Sequence, residues 1–224
     1  MDKKLRIITG HYGSGKTEFA VNLCVALASE GHSVIMADMD IVNPYFCSRE
    51  RKDFLESKGI RVVLPSGGGG IDLPSVSPAV LTLMQSGDVS GVMDVGGDAV
   101  GARVLARYAP YLNCIDFDLL CVLNANRPET SNVKSAILYI QSIENSSKQH
   151  MSGLVNNTHL CAETTLDDIL RGYDLARQVA AEMHIPLMFN CVEKRLLAQS
   201  ECLLEGITLP IEIYMKKPWE TDNA

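Results

Sequence analysis

The chain has 224 residues, 46% of them hydrophobic, enough to bury one substantial core, and a net charge of −7. Its lysines and arginines are scattered, with no basic run, which argues against a face for nonspecific nucleic-acid binding or for an anionic membrane surface. No apolar stretch approaches the roughly 18 residues of a membrane span, and the N-terminus lacks the apolar core and cleavage site of a signal peptide, so a cytoplasmic protein is expected.

Seven cysteines, at 24, 47, 114, 121, 161, 191 and 202, form no CxC or CxxC pair. A zinc or iron–sulfur centre built from one local motif is therefore not supported, and reduced, mostly buried thiols are expected.

The first predicted strand is Leu5–Thr9. It runs into Gly10-His-Tyr-Gly-Ser-Gly15-Lys16-Thr17, a match to GxxxxGK(S/T), and then into a predicted helix over Thr17–Glu30. In that order the glycines let backbone N–H groups converge on phosphate oxygens, and the helix adds its positive end. The predicted nucleotide contacts are Gly10, His11, Tyr12, Gly13, Ser14, Gly15, Lys16 and Thr17. Lys16 is expected to span the β- and γ-phosphates and Thr17 Oγ to hold Mg²⁺.

A second strand, Val34–Ala37, delivers Asp38 and Asp40 at its carboxyl end, where ligands gather in an open α/β sheet. Paired acids there suit ligation of a magnesium ion's waters, with Asp38 a candidate metal residue, and orientation of an attacking water; two loop-capping aspartates are the alternative. Ile60–Leu64 is a third strand. The segment from Pro65 to Pro78 carries four successive glycines, Gly67–Gly70, and reads either as a surface connection or as a flap that orders on a ligand.

A helix over Ser77–Ser86 precedes the strand Val92–Val95, whose Asp94 stands where a Walker B aspartate would approach the metal. Gly97 then offers a backbone N–H toward the γ-phosphate. Asp98 is read as a functional acid, with a helix N-cap as the alternative. Next come a helix over Val100–Tyr108, a strand Phe117–Leu123, a helix Glu129–Glu144, a strand Met151–Val155, a helix Leu166–His184 and a strand Ile185–Phe189. The strand runs are continuously apolar rather than alternating, which places a parallel sheet between two helix layers. The prediction is an α/β fold, a mostly parallel, doubly wound sheet of about seven strands. One domain is expected over residues 1–224, with a polar tail from about 216.

The P-loop, the Asp38–Asp40 strand end and the Asp94–Asp98 segment, in this order, resemble the CobQ/CobB/MinD/ParA class of P-loop ATPases, relatives of the nitrogenase iron protein and of metallocentre-inserting ATPases. The likeness extends through Gly10–Cys24, including Asn22-Leu23, and to Ser152-Gly-Leu-Val-Asn-Asn157. It implies a SIMIBI-type fold, ATP with Mg²⁺, a hydrolytic role for Asp40 with Lys16, and a base contact from Asn157 or, failing that, Asn156. Ile185-Pro186-Leu-Met-Phe resembles the class's closing strand, and Glu205–Pro210 its final helix–turn.

Two departures stand out. His11 occupies the place of the class's signature lysine, which reaches the partner's phosphates in a dimer closed over two nucleotides; His11, if protonated, and Arg49 are the candidate replacements. Gly101 falls where the iron protein has a cluster-ligating cysteine.

The leading reading is a Mg²⁺-dependent ATP switch acting on a protein client, for example in maturation or metallocentre assembly, as a nucleotide-dependent homodimer without nucleic-acid or membrane partners. The alternative is an ATP-dependent small-molecule ligase or kinase of the dethiobiotin synthase or cobyrinate amidase type, with Asn156–Leu160 lining an acceptor pocket. A positioning module would need a basic surface. GTP in place of ATP is compatible with the motifs, since no clear N-K-x-D is present.

Overall fold

Each strand lies parallel to its neighbours in one sheet of order β3-β2-β4-β1-β5-β6-β7-β8. The strands are β1 (Leu5–Thr9), β2 (Val34–Met39), β3 (Arg61–Val63), β4 (Ser90–Val95), β5 (Phe117–Leu123), β6 (Gly153–Asn156), β7 (Leu187–Glu193) and β8 (Ile207–Ile211). Between them run α1 (Lys16–Ser29), α2 (Lys52–Ser57), α3 (Pro78–Gln85), α4 (Ala99–Leu112), α5 (Val133–Ser147), α6 (Leu166–Met183) and the single turn α7 (Leu197–Ser200). The computed structural model describes residues 3–40, 51–64, 78–85, 88–200 and 202–215. Arg49, the Gly67–Gly70 segment and the tail from 216 lie outside the described residues.

The continuous apolar strands follow from cover on both faces. Leu5 and Ile7 of β1 pack into one core with Leu105 and Leu112 of α4 and Ile140 of α5, whereas Ile8 between them joins Phe19, Leu23 and Leu27 of α1 on the other side. Leu119, Cys121 and Leu123 of β5 split from Leu120 and Val122 in the same way. Every residue of β1, β2 and β4 is thus buried, as is β5 from Leu119 on, and the sequence shows no period of two.

Among the described residues the sheet has eight strands, against the expectation of about seven. Glu205–Pro210, expected as a helix–turn, instead supplies β8, which pairs with β7. Pro210 is tolerated there because β8 is an edge and its outward side needs no backbone donor. Helix α5 begins at Val133 rather than near Glu129: Pro128–Thr130 form a 3₁₀ turn, and Asn132 accepts a bond from the Ser135 N–H as N-cap. Helix α4 continues to Leu112, with Pro110 in its last turn. Among the described residues no helix is long and apolar enough to cross a membrane. The six described cysteines are free: Cys24, Cys121 and Cys191 are buried, and Cys114, Cys161 and Cys202 are exposed, fewer buried than expected.

Candidate nucleotide-binding site

The carboxyl ends of β1, β2 and β4 converge on one edge of the sheet. Register alone sets Asp38 beside Asp94 there. From β1 the chain turns through Gly10–Gly15 into α1. Gly15 is the N-cap of α1, at φ 78°, and has no side chain with which to cap it. The first N–H groups of α1 are therefore left for an external anion. Gly97 packs so closely on the loop that a Cβ there would fall 1.8 Å from the Gly10 carbonyl oxygen. Only glycine fits, and the β4–α4 turn is locked to the P-loop. Tyr139 of α5 reinforces it, its hydroxyl donating to the Gly97 carbonyl at 2.7 Å.

The charged centre is buried and tightly paired. Lys16 Nζ donates to Asp40 Oδ2 at 2.7 Å, and Thr17 Oγ1 donates to Asp94 Oδ2 at 2.6 Å. Asp38 accepts the Asp40 N–H at 3.1 Å. Burial opposes the Lys16 charge, yet Asp94, Asp40 and Asp38 together raise its pKa above the ordinary lysine value. Burial pushes Asp94 up to about 6, a rise that Lys16 and the Thr17 hydroxyl oppose and that Asp38 and Asp40 reinforce. Asp40 thus holds the ammonium group that the P-loop motif is expected to turn toward phosphate.

Among the described residues no three His, Cys, Asp or Glu side chains gather closely enough to hold a metal by themselves. The donors suit instead a hard cation that brings its own waters. Thr17 Oγ1 would be the direct ligand, and Asp94 Oδ1, buried and without a hydrogen-bond partner, would accept from a coordinated water.

Beside the P-loop opens a cavity of about 430 Å³, lined by Tyr12, Lys16, Thr17, Arg127, Asn157 and His159 together with apolar residues that include Ile213 and Met215. Asn157 Nδ2 donates to the Ser14 carbonyl at 2.9 Å and to the Gly15 carbonyl at 3.4 Å. Asn156 turns the other way, as alternate residues at a strand end must. It donates to the Ile169 carbonyl at 3.2 Å and accepts the Thr158 N–H at 3.2 Å, buried beneath α6. Asn156 therefore faces away from the P-loop, whereas Asn157 faces it and lines the cavity. The same geometry places Asn157–His159 on the cavity beside the P-loop rather than on a separate acceptor pocket. Burial, with the Arg127 charge nearby, lowers the His159 pKa to about 4, so its ring is neutral.

Other expected residues have structural partners. Asp98 is the N-cap of α4, its Oδ1 accepting the Gly101 N–H at 2.6 Å. That bond realises the capping alternative through Oδ1, and Asp98 itself is exposed. A Cβ on Gly101 would fall 2.7 Å from Gly96 Cα, so no cysteine fits there without backbone movement. His11 packs edge-on against Tyr139, with ring centroids 5.5 Å apart, and its Nδ1 lies 3.5 Å from Glu129 Oε2. It faces α5.

The sequence reading missed three features. Arg127, in the loop after β5, donates through Nε to the Gly13 carbonyl at 2.9 Å. Asn124 donates to the same carbonyl at 3.3 Å. The segment after β8 is strapped onto α1: the Glu18 carboxylate accepts the Tyr214 and Met215 N–H groups at 2.8 and 3.0 Å, and Asn22 exchanges two bonds of 2.9 Å with the Glu212 backbone. The strap brings Ile213 and Met215 to the cavity wall.

Residues 6–187 match the family described as the CobQ/CobB/MinD/ParA nucleotide binding domain. The fold is similar to chloroplast FtsY from Physcomitrella patens, at 15% identity and a TM-score of 0.54 over 84% of this chain and 58% of that one. It is similar to the 54 kDa signal recognition particle protein from Aeropyrum pernix in complex with GDP, at 16% identity and a TM-score of 0.52 over 84% and 41%. A nucleotide-binding protein from Archaeoglobus fulgidus in complex with ADP, with cobalt found by PIXE, matches at 16% identity and a TM-score of 0.50 over 89% and 86%. The chain spans a little under three fifths of the FtsY chain's length, and at such identities the likeness is one of fold, the SIMIBI type of P-loop protein. No curated protein sequence is similar enough to count as a relative. The family match, together with the P-loop and its acids, means that this chain belongs to the CobQ/CobB/MinD/ParA nucleotide-binding family, a class of nucleotide-hydrolysing P-loop proteins.

Proposed function

We propose that this chain binds ATP with Mg²⁺ and hydrolyses it as a conformational switch for a protein client, working as a homodimer that assembles with nucleotide and acting without nucleic acid or membrane. The carrying observation is the Lys16–Asp40 pair at 2.7 Å. A triphosphate that takes Lys16 must displace Asp40, which leads directly into the segment after β2. Nucleotide occupancy is thereby coupled to a movable acid and to the chain beyond it.

In this reading Lys16 and the N–H groups at the start of α1 bind and orient the phosphates. Thr17 would ligate Mg²⁺, with Asp94 and Asp38 beside it to accept from the ion's waters. When bound, the ion would supply neutralisation of phosphate charge. Asp40, released from Lys16, orients the attacking water. Asn157 contacts the base, and the Gly97 N–H faces the γ-phosphate. The chain is read as a single nucleotide-binding domain with a polar tail from about residue 216. ATP is preferred to GTP on family grounds.

The test is calorimetry with ATP and GTP plus phosphate release without any added acceptor. ATP is expected to bind and turn over slowly, and Lys16→Ala to weaken binding by about 2–4 kcal/mol, the cost of removing one partner of a desolvated charge contact. Hydrolysis that requires a small-molecule acceptor would overturn the switch in favour of a ligase or kinase.

A further inference from the structure

Arg127 is presented deliberately and left unpaired. The loop that carries it is braced by its own bonds: the Arg127 N–H to the Asn124 carbonyl at 3.0 Å, the Thr130 N–H to the Arg127 carbonyl at 3.0 Å, and the Thr130 hydroxyl to the Asn124 carbonyl at 2.7 Å. Pro128 fixes the first position of the turn that follows. The side chain is exposed, lines the cavity and is fastened by Nε to the Gly13 carbonyl at 2.9 Å. Among the described residues no carboxylate lies within ion-pair distance of it.

The orientation of the guanidinium is defined by its neighbour. A Cβ placed on Gly13 would lie 2.7, 2.7 and 2.8 Å from Arg127 Cζ, Nε and Nη2. A point almost equidistant from three atoms of a planar group lies over its face. One face of the guanidinium therefore covers Gly13, while the side chain is exposed and lines the cavity. The contact is with a P-loop carbonyl, and in such loops it is the N–H groups that turn toward phosphate. Arg127 is thus on the side of the loop away from the phosphates. The remaining wall, with Asn157 at the loop, Ile211 at the end of β8 and Ile213 and Met215 from the strap, suits a flat, apolar-faced group with a polar edge.

We propose that Arg127 is the platform for the nucleobase, its free guanidinium face stacking on the ring while Asn157 meets the base edge. Planar, weakly hydrated guanidinium groups stack well on aromatic rings, and a lysine cannot reproduce that plane. This inference rests on the nucleotide reading above, and it adds a base-positioning residue to it.

The experiment titrates wild type, Arg127→Ala and Arg127→Lys with Mg²⁺ complexes of ATP, ADP and inorganic tripolyphosphate. We expect Arg127→Ala to weaken ATP and ADP alike, by about tenfold, and to leave tripolyphosphate unchanged. Arg127→Lys should recover little of the loss. The tripolyphosphate titration also verifies that the P-loop of each variant is folded. Equal losses for ATP and tripolyphosphate, or a larger loss for ATP than for ADP, would make Arg127 a phosphate ligand and overturn the proposal, as would unchanged ATP affinity in Arg127→Ala. Failure of wild type to bind ATP or GTP would instead sink the nucleotide reading, a result separate from either variant outcome.

Discussion

Asp40→Asn tests whether the acid truly stands in for a phosphate. Lys16 and Asp40 face each other at 2.7 Å, with side chains only 9% and 3% exposed. Removing one partner of a buried pair costs about 3–5 kcal/mol. The asparagine keeps an oxygen that can accept from Lys16, and Asp94 and Asp38 still offset its charge, so we expect about 2–3 kcal/mol. For a chain of this length that lowers the melting temperature by about 4–12 °C. Saturation with ATP·Mg²⁺ removes the difference, because Lys16 is then held by phosphates in both proteins. Linkage requires the missing stability to reappear as affinity, so Asp40→Asn binds ATP about 30- to 150-fold more tightly. Turnover falls, since the variant lacks the carboxylate that orients water. Calorimetric melting with and without ATP, together with titration and single-turnover hydrolysis, reads all three. Unchanged melting and unchanged affinity would refute the competition between Asp40 and phosphate.

Asp98→Ala should cost about 1 kcal/mol of stability as a lost N-cap, and Asp98→Asn far less, with single-turnover rates unaltered in both; a slowed Asn variant would return Asp98 to the catalytic residues. Asn157→Ala is expected to weaken nucleotide binding, whereas Asn156→Ala should lower stability by about 1–3 kcal/mol through orphaned buried groups and leave affinity intact; titration and urea unfolding showing the reverse would mean that the strand end faces the other way. For His159 the folded pKa of about 4 lies below the free value of 6.5, so the unfolded chain takes up a proton first. Its contribution is complete above pH 6.5, declines as pH falls toward 4 and is flat below, on the order of 3 kcal/mol in all. Urea unfolding across that range should show this slope in wild type minus His159→Gln, and a flat difference would mean that the ring is solvated.

What the sequence alone determined is the part of the protein made by neighbours along the chain. The strand Leu5–Thr9, the glycine turn and the helix beginning with Lys16 form one continuous unit, and their geometry is set by residue type and order. Asp38, Asp40 and Asp94 were legible because a parallel sheet gathers strand ends at one edge, whatever the order of its strands. The Asp98 cap was local too: an aspartate three residues before Gly101 at a helix start carries the N-cap signal. Tertiary structure decided the contacts that join distant segments. Arg127 meets Gly13 across 114 positions, and Glu18 receives Tyr214 across 196; no periodicity encodes such pairs, because they exist only once β5 and β8 have taken their places in the sheet. Whether Asn156 or Asn157 faces the cavity was decided by the phase of β6, since one residue of register exchanges the two faces. Edge strand β8 was concealed for a related reason: its short, half-exposed pattern acquires meaning only when β7 is there to pair with it.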